Sequence, residues 1–265
     1  MDKILNYQLN EATNTAVEQL IKTSQNILLC AEKIKENSGP FEKALSILYR
    51  TSLTPGAKII ITGVGKSSKI GSKLAATFSS TGTTAIMMHS TEAIHGDLGL
   101  VRPGDCIIAI SYSGETEELL KVVSALKKRT EEMYSPSSSN TSICFSDSDT
   151  CSDTDYSYNT DKNMLQFNSN SLQNTYNGYS NYPIISLCGN GKSQLSLNSD
   201  VWLDVSVTSE ASSDVPAPTI STTLTLALGD VLAMNLMKLK GFNKKDFLRY
   251  HPGGSLGNSL RKSEP

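Results

Sequence analysis

Five short apolar runs punctuate this chain: Ala57 to Ile61, Thr84 to Met88, Asp105 to Ile110, Tyr182 to Gly189 and Val201 to Val207. Each reads as a strand. The third is apolar almost throughout, as a parallel strand covered on both faces should be. Lys69 to Ser80, with Ile70, Leu74 and Phe78 turned inward, and Glu117 to Arg129 carry helical spacing between the runs. This β–α alternation predicts an α/β fold, a three-layer sandwich in which a five-stranded parallel sheet is flanked by helices.

Helices are also predicted at both ends. From about Glu11 to Glu36, apolar residues at Ala16, Leu20, Ile27, Cys30, Ala31 and Ile34 suit a buried stripe, and Asn37-Ser38-Gly39-Pro40 ends it. Phe41 to Arg50 follows with Leu45 and Leu48 inward, and Thr54-Pro55-Gly56 turns the chain into the first strand. These two helices read as packing or oligomer surface. A long apolar helix is expected over Thr219 to Leu239, with Leu224, Leu228, Val231, Leu232 and Leu236 in the core. Pro218 and Ser221-Thr222-Thr223 suit its first turn. Gly241 closes that helix, and a short one covers Lys244 to Arg249.

Between about Glu132 and Asn181 the composition changes to Ser, Asn, Thr and Asp with no sustained period, and Lys162 is the single basic residue past Glu132. Such a stretch buries too little apolar surface to offset its ordering entropy. It is expected to be a disordered surface insertion. The organisation is then one domain over 1–265, with N-terminal helices over 1–56, a core over 57–131 and 182–265, and a low-complexity insertion over 132–181.

Lys and Arg total 24 against 26 Asp and Glu, a net charge of -2, which argues against a nucleic-acid partner. Five scattered cysteines, without a CxxC pair, suggest neither a disulfide framework nor a zinc knuckle. A reducing compartment fits. The N-terminus is polar and no run of about 18 apolar residues occurs, so a soluble cytoplasmic protein without membrane contact is expected.

The candidate chemistry lies in two strand-to-helix turns, Gly63-Val64-Gly65-Lys66-Ser67-Ser68 and Ser111-Tyr112-Ser113-Gly114-Glu115-Thr116. Both should open at the carboxyl edge of the sheet. Glycines let the backbone approach a ligand, hydroxyls donate to its oxygens and a helix N-terminus favours an anion, so a phosphate suits the place. A Walker A loop is unsupported, because Ile60 stands where its first glycine belongs, and a dinucleotide fingerprint fails at Ser68. Gly65, Ser67, Ser111, Ser113 and Thr116 are the phosphate-contact candidates, simple N-capping being the plainer alternative. His89, Glu92 and His95 form H-x-x-E-x-x-H, but positions i and i+6 diverge on a helix and no third ligand is evident, so no metal is expected. His89 and His95 are read as pocket residues instead.

These two turns, together with His89, Glu92-Ala93-Ile94-His95-Gly96-Asp97-Leu98-Gly99 and the late His251-Pro252-Gly253-Gly254-Ser255-Leu256-Gly257, resemble the sugar isomerase (SIS) domain of the D-arabinose 5-phosphate isomerases. The likeness spans the chain apart from the insertion. It implies a flavodoxin-like or Rossmann-like SIS fold, a small sugar phosphate as ligand, no cofactor, and assembly as a homodimer or homotetramer. The family's functional positions fall on Lys66, Glu118, Glu210 and His251. The resemblance casts Glu210 as the proton-transferring base, Lys66 as the cation near phosphate or enediolate, and His251 in ring opening, in its own or a neighbouring subunit. Glu118 is either an orienting acid or one partner of an exposed helix pair.

Three departures stand out. Lys69 replaces a common His, Ser212-Ser213 replaces a common Cys-Pro, and the sequence ends where many relatives continue into paired CBS domains. The implied reaction is the interconversion of D-arabinose 5-phosphate and D-ribulose 5-phosphate. Moving a carbonyl between C1 and C2 needs a proton removed beside it and returned to the neighbouring carbon, with a cis-enediolate stabilised between. Two alternatives stay open, a non-catalytic phosphosugar-binding regulator and an isomerase of another sugar phosphate.

Overall fold

A computed structural model describes residues 2–134 and 181–253. Helices α1 (Asp2–Glu36) and α2 (Gly39–Leu53) lead into β1 (Ile59–Gly63), α3 (Lys66–Ser80), β2 (Ala85–His89) and the short α4 (Ser90–Ala93). A 3-10 turn (Asp97–Leu100), β3 (Cys106–Ile110), α5 (Glu117–Tyr134) and β4 (Ile184–Cys188) follow, then α6 (Gln194–Leu197), β5 (Val201–Asp204), α7 (Ile220–Leu239) and α8 (Lys244–Tyr250). The expected insertion over 132–181 falls almost wholly outside the described residues, as does the Ser255-Leu256-Gly257 end of the last motif.

All five strands are parallel, in the order β2-β1-β3-β4-β5. The three central ones, IIITG, CIIAI and IISLC, are buried along their whole length. Alternate side chains serve two cores. Ile59, Ile61, Cys106, Ile108, Ile185 and Leu187 face one layer with Leu48 of α2, Phe78 of α3 and Leu228 of α7. Ile60, Ile107, Ala109 and Ile184 face the other with Leu119, Val122 and Leu126 of α5. The three-layer α/β sandwich expected from the apolar runs is therefore present.

The order of the strands locates the site. From β1 the chain crosses by α3 to β2 on one side, then returns past β1 to β3 on the other, and α3 and α5 pack on opposite faces. This reversal makes the carboxyl ends of β1 and β3 a topological switch point, where the two following loops part and leave a crevice.

Four sequence expectations need correction. The predicted stripe of α1 is not buried as a whole: Leu20 is 71% and Ile27 is 37% exposed, and Ala16 and Ala31 are exposed too. Of the stripe only Cys30 and Ile34 face inward, against the core, and they share that face with Gln19, Lys22, Thr23 and Asn26, because α1 meets the polar loop after β5 as well as α7. Val231 is 45% exposed, since the inward face of α7 follows Leu224, Leu228, Leu232 and Leu236. Strand β5 ends at Asp204 rather than Val207, because Asp204 Oδ1 accepts from Ser206 N at 2.7 Å and turns the chain. Helix α3 starts at Lys66, so Lys66 and Ser67 belong to its first turn.

At the amino edge of the sheet, Asp105 is fully buried and accepts from Lys58 N (2.8 Å), Lys58 Nζ (2.7 Å) and Arg102 N (2.8 Å). Replacing Asp105 by Ala should cost about 3–5 kcal/mol, because a largely buried ammonium and two N–H groups lose their partner. Urea denaturation measures this. A loss below about 1 kcal/mol would mean that water or relaxation compensates.

Candidate active site

The crevice at the switch point holds a cavity of about 210 Å3, lined by Val64, Lys66, Ser67 and Ile70 from the first turn and α3, and by Ile110 and Tyr112 from β3 and its loop. Pro218, Ser221, Thr222 and Thr225 close it from the start of α7. Larger hollows exist, such as one of about 380 Å3 between α1, α2 and β5, where the Lys33–Asp204 ion pair, Glu36 and Asn37 stand beside Phe41 and Trp202 and no hydroxyl side chain lines the space. The switch-point cavity brings Lys66 together with the hydroxyl-bearing Ser67, Tyr112, Ser221, Thr222 and Thr225. Gly65, at φ 61, is the N-cap of α3, and its left-handed backbone turns Lys66 and Ser67 towards the opening.

The second turn is a knot of hydroxyls. Ser111 Oγ lies 2.8 Å from Thr116 Oγ1 and 3.5 Å from Ser113 Oγ, accepts from Gly114 N (3.1 Å), and Ser113 Oγ accepts from Glu115 N (3.2 Å). A brace that the sequence did not announce holds it from β4. Gly189 N donates to Tyr112 O (2.9 Å), Leu195 N to Gly114 O (3.0 Å) and Gln194 N to Glu115 Oε1 (2.9 Å). Gly114 has φ 70, and a Cβ there would run into Ser193 Oγ. Gly114→Ala should therefore push this turn off the segment after β4 that braces it and raise KM for a phosphosugar by roughly ten- to a hundredfold. An alanine variant with unchanged KM would show that this turn does not hold the phosphate.

Glu210 is not itself among the lining residues but stands against one of them, Ser221, on the α7 side. Thr219, the N-cap of α7, makes no side-chain cap of its own, and Glu210 supplies one from nine residues upstream. Its Oε2 accepts from Thr219 N (3.0 Å), Thr219 Oγ1 (3.0 Å), Ile220 N (2.8 Å) and Ser221 N (3.2 Å), while Oε1 accepts from Ser221 Oγ alone. One oxygen is anchored and the other keeps a lone pair beside a residue that lines the cavity. Burial pushes the carboxyl pKa up, but hydrogen bonds from Ser221 and Thr219 outweigh it, and the net result lies below the ordinary value of 4.5.

Of the sequence-predicted residues Lys66 and Ser67 line the cavity; Gly65, Ser111, Ser113, Thr116 and Glu210 are not among the lining residues, and the others are scattered. Half-buried His89 ends β2 and N-caps α4, its Nδ1 accepting from Thr91 N at 3.4 Å, while His95 is exposed in the next turn. Neither lines the cavity. Among the described residues no group of three or more His, Cys, Asp or Glu side chains is placed to hold a metal ion. Glu118, half-buried in the first turn of α5, forms no ion pair with Lys66 among the described residues. His251 C-caps α8, where its ring stacks on Phe247 at 3.8 Å and Nδ1 lies 2.9 Å from Phe247 O. It is not among the lining residues either. Conversely, Tyr112, Pro218, Ser221, Thr222 and Thr225 line the cavity but were not singled out as site residues. The signal available for the last four was a Pro and a Ser/Thr cluster at the head of an apolar helix.

Known proteins align with this arrangement. The SIS domain model matches residues 52–176. Arabinose 5-phosphate isomerase KpsF of Escherichia coli is 34% identical over 224 residues, 84% of this chain and 53% of that protein. Arabinose 5-phosphate isomerase KdsD of Francisella tularensis is 35% identical over 247 residues, 93% of this chain and 59% of that protein. The chain thus spans a little over half the length of these curated relatives. The solved structure of E. coli CFT073 c3406 in complex with arabinose 5-phosphate superposes with a TM-score of 0.62 at 32% identity, covering 90% of this chain and 99% of that one. With sequence motifs, strand order and whole-domain superposition in agreement, the chain belongs to the SIS-domain family.

Proposed function

We propose that this chain is a cofactor-independent aldose–ketose isomerase that interconverts D-arabinose 5-phosphate and D-ribulose 5-phosphate through a cis-enediolate. The observation that carries the reading is the anchored Glu210 carboxylate, whose Oε1 accepts from Ser221 Oγ, a hydroxyl of the residue that lines the same cavity as Lys66 and Ser67. The names of the relatives at 34–35% identity support the same reaction and substrate.

In this reading Ser111, Ser113, Thr116, Ser67 and the N–H groups at the start of α3 receive the phosphate. Oε1 of Glu210 removes the proton from the carbon beside the carbonyl and returns it to the neighbouring carbon. Holding Oε2 on the α7 N-terminus keeps the carboxylate ionised and fixed in direction, so little reorganisation is needed as the proton moves. The Lys66 ammonium neutralises charge that develops on the enediolate oxygens. Glu118 orients the groups at the opening of α5.

His251 assists ring opening from a neighbouring copy, since within one chain it is turned onto Phe247. A homodimer or homotetramer is therefore part of the proposal. It is supported by the outward face of α1, where Leu5, Val17, Leu20, Ile21 and Leu28 are each more than half exposed. We also infer a soluble cytoplasmic protein: Cys30, Cys106 and Cys188 are unpaired thiols. Helix α7 is long and apolar enough to cross a membrane, yet half of it is buried in the manner of a core helix.

The test is turnover of D-arabinose 5-phosphate by the purified chain beside a panel of aldose and ketose phosphates. Formation of ribulose 5-phosphate supports the proposal. Binding of the sugar without any turnover sinks it in favour of a phosphosugar-binding regulator, and turnover of a different member of the panel moves the substrate.

A further inference from the structure

The inward face of α1 carries several polar side chains, and four residues of the helix reach the same segment of chain. Residues 19, 22, 26 and 33 lie on one side of the helix. Gln19 Nε2 donates to Ala211 O at 3.4 Å and Lys22 Nζ to Glu210 O at 2.9 Å. Asn26, only 2% exposed, accepts from Thr208 N at 2.9 Å and donates through Nδ2 to Thr208 Oγ1 at 3.4 Å. Lys33 Nζ binds Asp204 Oδ2 at 2.7 Å and Ser206 Oγ at 2.8 Å. The segment leaves the sheet after Asp204, and the last main-chain bond that ties it to β4 is Val205 N to Cys188 O at 3.2 Å. Beyond that bond its backbone is registered by a ladder of α1 side chains.

We propose that the polar face of α1 positions Glu210, with Lys22 as the residue that fixes its backbone and Asn26 as the clamp two residues upstream. This rests on the reading of Glu210 as the catalytic base. The logic is that of a vice with two jaws. The α7 N-terminus grips the carboxylate through four donors to Oε2, and α1 grips the main chain of the same residue from the other side. Loosening either jaw lets the reactive oxygen drift from its line of attack, and such misplacement lowers the chemical step without weakening phosphate binding. Lys22 is thus a positioning residue that acts through Glu210 and touches no substrate.

The experiment compares Lys22→Met, Lys22→Arg and Glu210→Gln in the full chain. Two readouts are taken, steady-state turnover of D-arabinose 5-phosphate and hydrogen exchange at the amides of residues 219–221, which the Glu210 carboxylate protects. Lys22→Met should lower kcat by about ten- to a hundredfold with KM nearly unchanged. It should also speed exchange at those amides by about tenfold, the factor of one hydrogen bond to a charged group. Lys22→Arg, which keeps a donor on a long stem, should recover most of both. Wild-type exchange at these amides in Lys22→Met overturns the proposal, and so does accelerated exchange with wild-type kcat while Glu210→Gln is inactive. If Glu210→Gln itself retains full turnover, the base assignment fails, and the exchange readout alone then decides whether α1 positions Glu210.

Discussion

Glu210→Gln should lower kcat for arabinose 5-phosphate by about 10²–10⁴-fold, the range expected for loss of a general base, with KM little changed. The amide is nearly isosteric and can still accept from the α7 N-terminus through one oxygen, so the chemistry is removed with modest cost to the fold. Loss of the charge at a helix N-terminus costs about 0.3–1 kcal/mol. The pH dependence separates the two effects. Because the folded pKa lies below 4.5, the carboxylate is ionised throughout the neutral range, and the acid limb of the rate profile should lie below that value. The stability contributed by the cap has the same sign. It is fully present above the unfolded value and disappears as pH falls through the lower folded one. Turnover of Glu210→Gln within about threefold of the parent would leave Glu210 as a helix cap and nothing more.

Lys66→Met should lower kcat/KM by about 10²–10³-fold, the usual effect of removing one donor from developing oxyanion charge. The methionine keeps most of the stem at the first position of α3, so the helix and the cavity wall should survive. Where the loss falls tells what the lysine does. A fall confined to kcat assigns Lys66 to the enediolate, whereas a rise confined to KM assigns it to the ground-state phosphate. Lys66→Arg should not restore activity fully, because a planar fork does not reproduce a compact ammonium. Unchanged kcat/KM in Lys66→Met would show the lysine to be a solvated charge at the rim.

Much of this molecule is legible in its sequence because parallel α/β architecture is written locally. Apolar runs such as CIIAI have one stable use, as strands covered on both faces, and the helices between them force every carboxyl end to the same edge. Gly65 and Gly114 then mark the two places on that edge where the backbone must take positive φ. Strand type, layer order and the two candidate phosphate turns follow from neighbours a few residues apart. The site's closure does not. The Glu210 cap joins residues nine to eleven apart across an irregular loop, and the β4 brace joins Gly114 to Ser193, 79 positions on. Helix α1 departs from the usual amphipathic logic, since its inner side meets a polar loop as well as α7, and only Cys30 and Ile34 of the apolar stripe read as core face inward. Periodicity records how a segment meets an apolar neighbour. It carries no information about which distant backbone a lysine or asparagine will hold, and only the tertiary structure decides that.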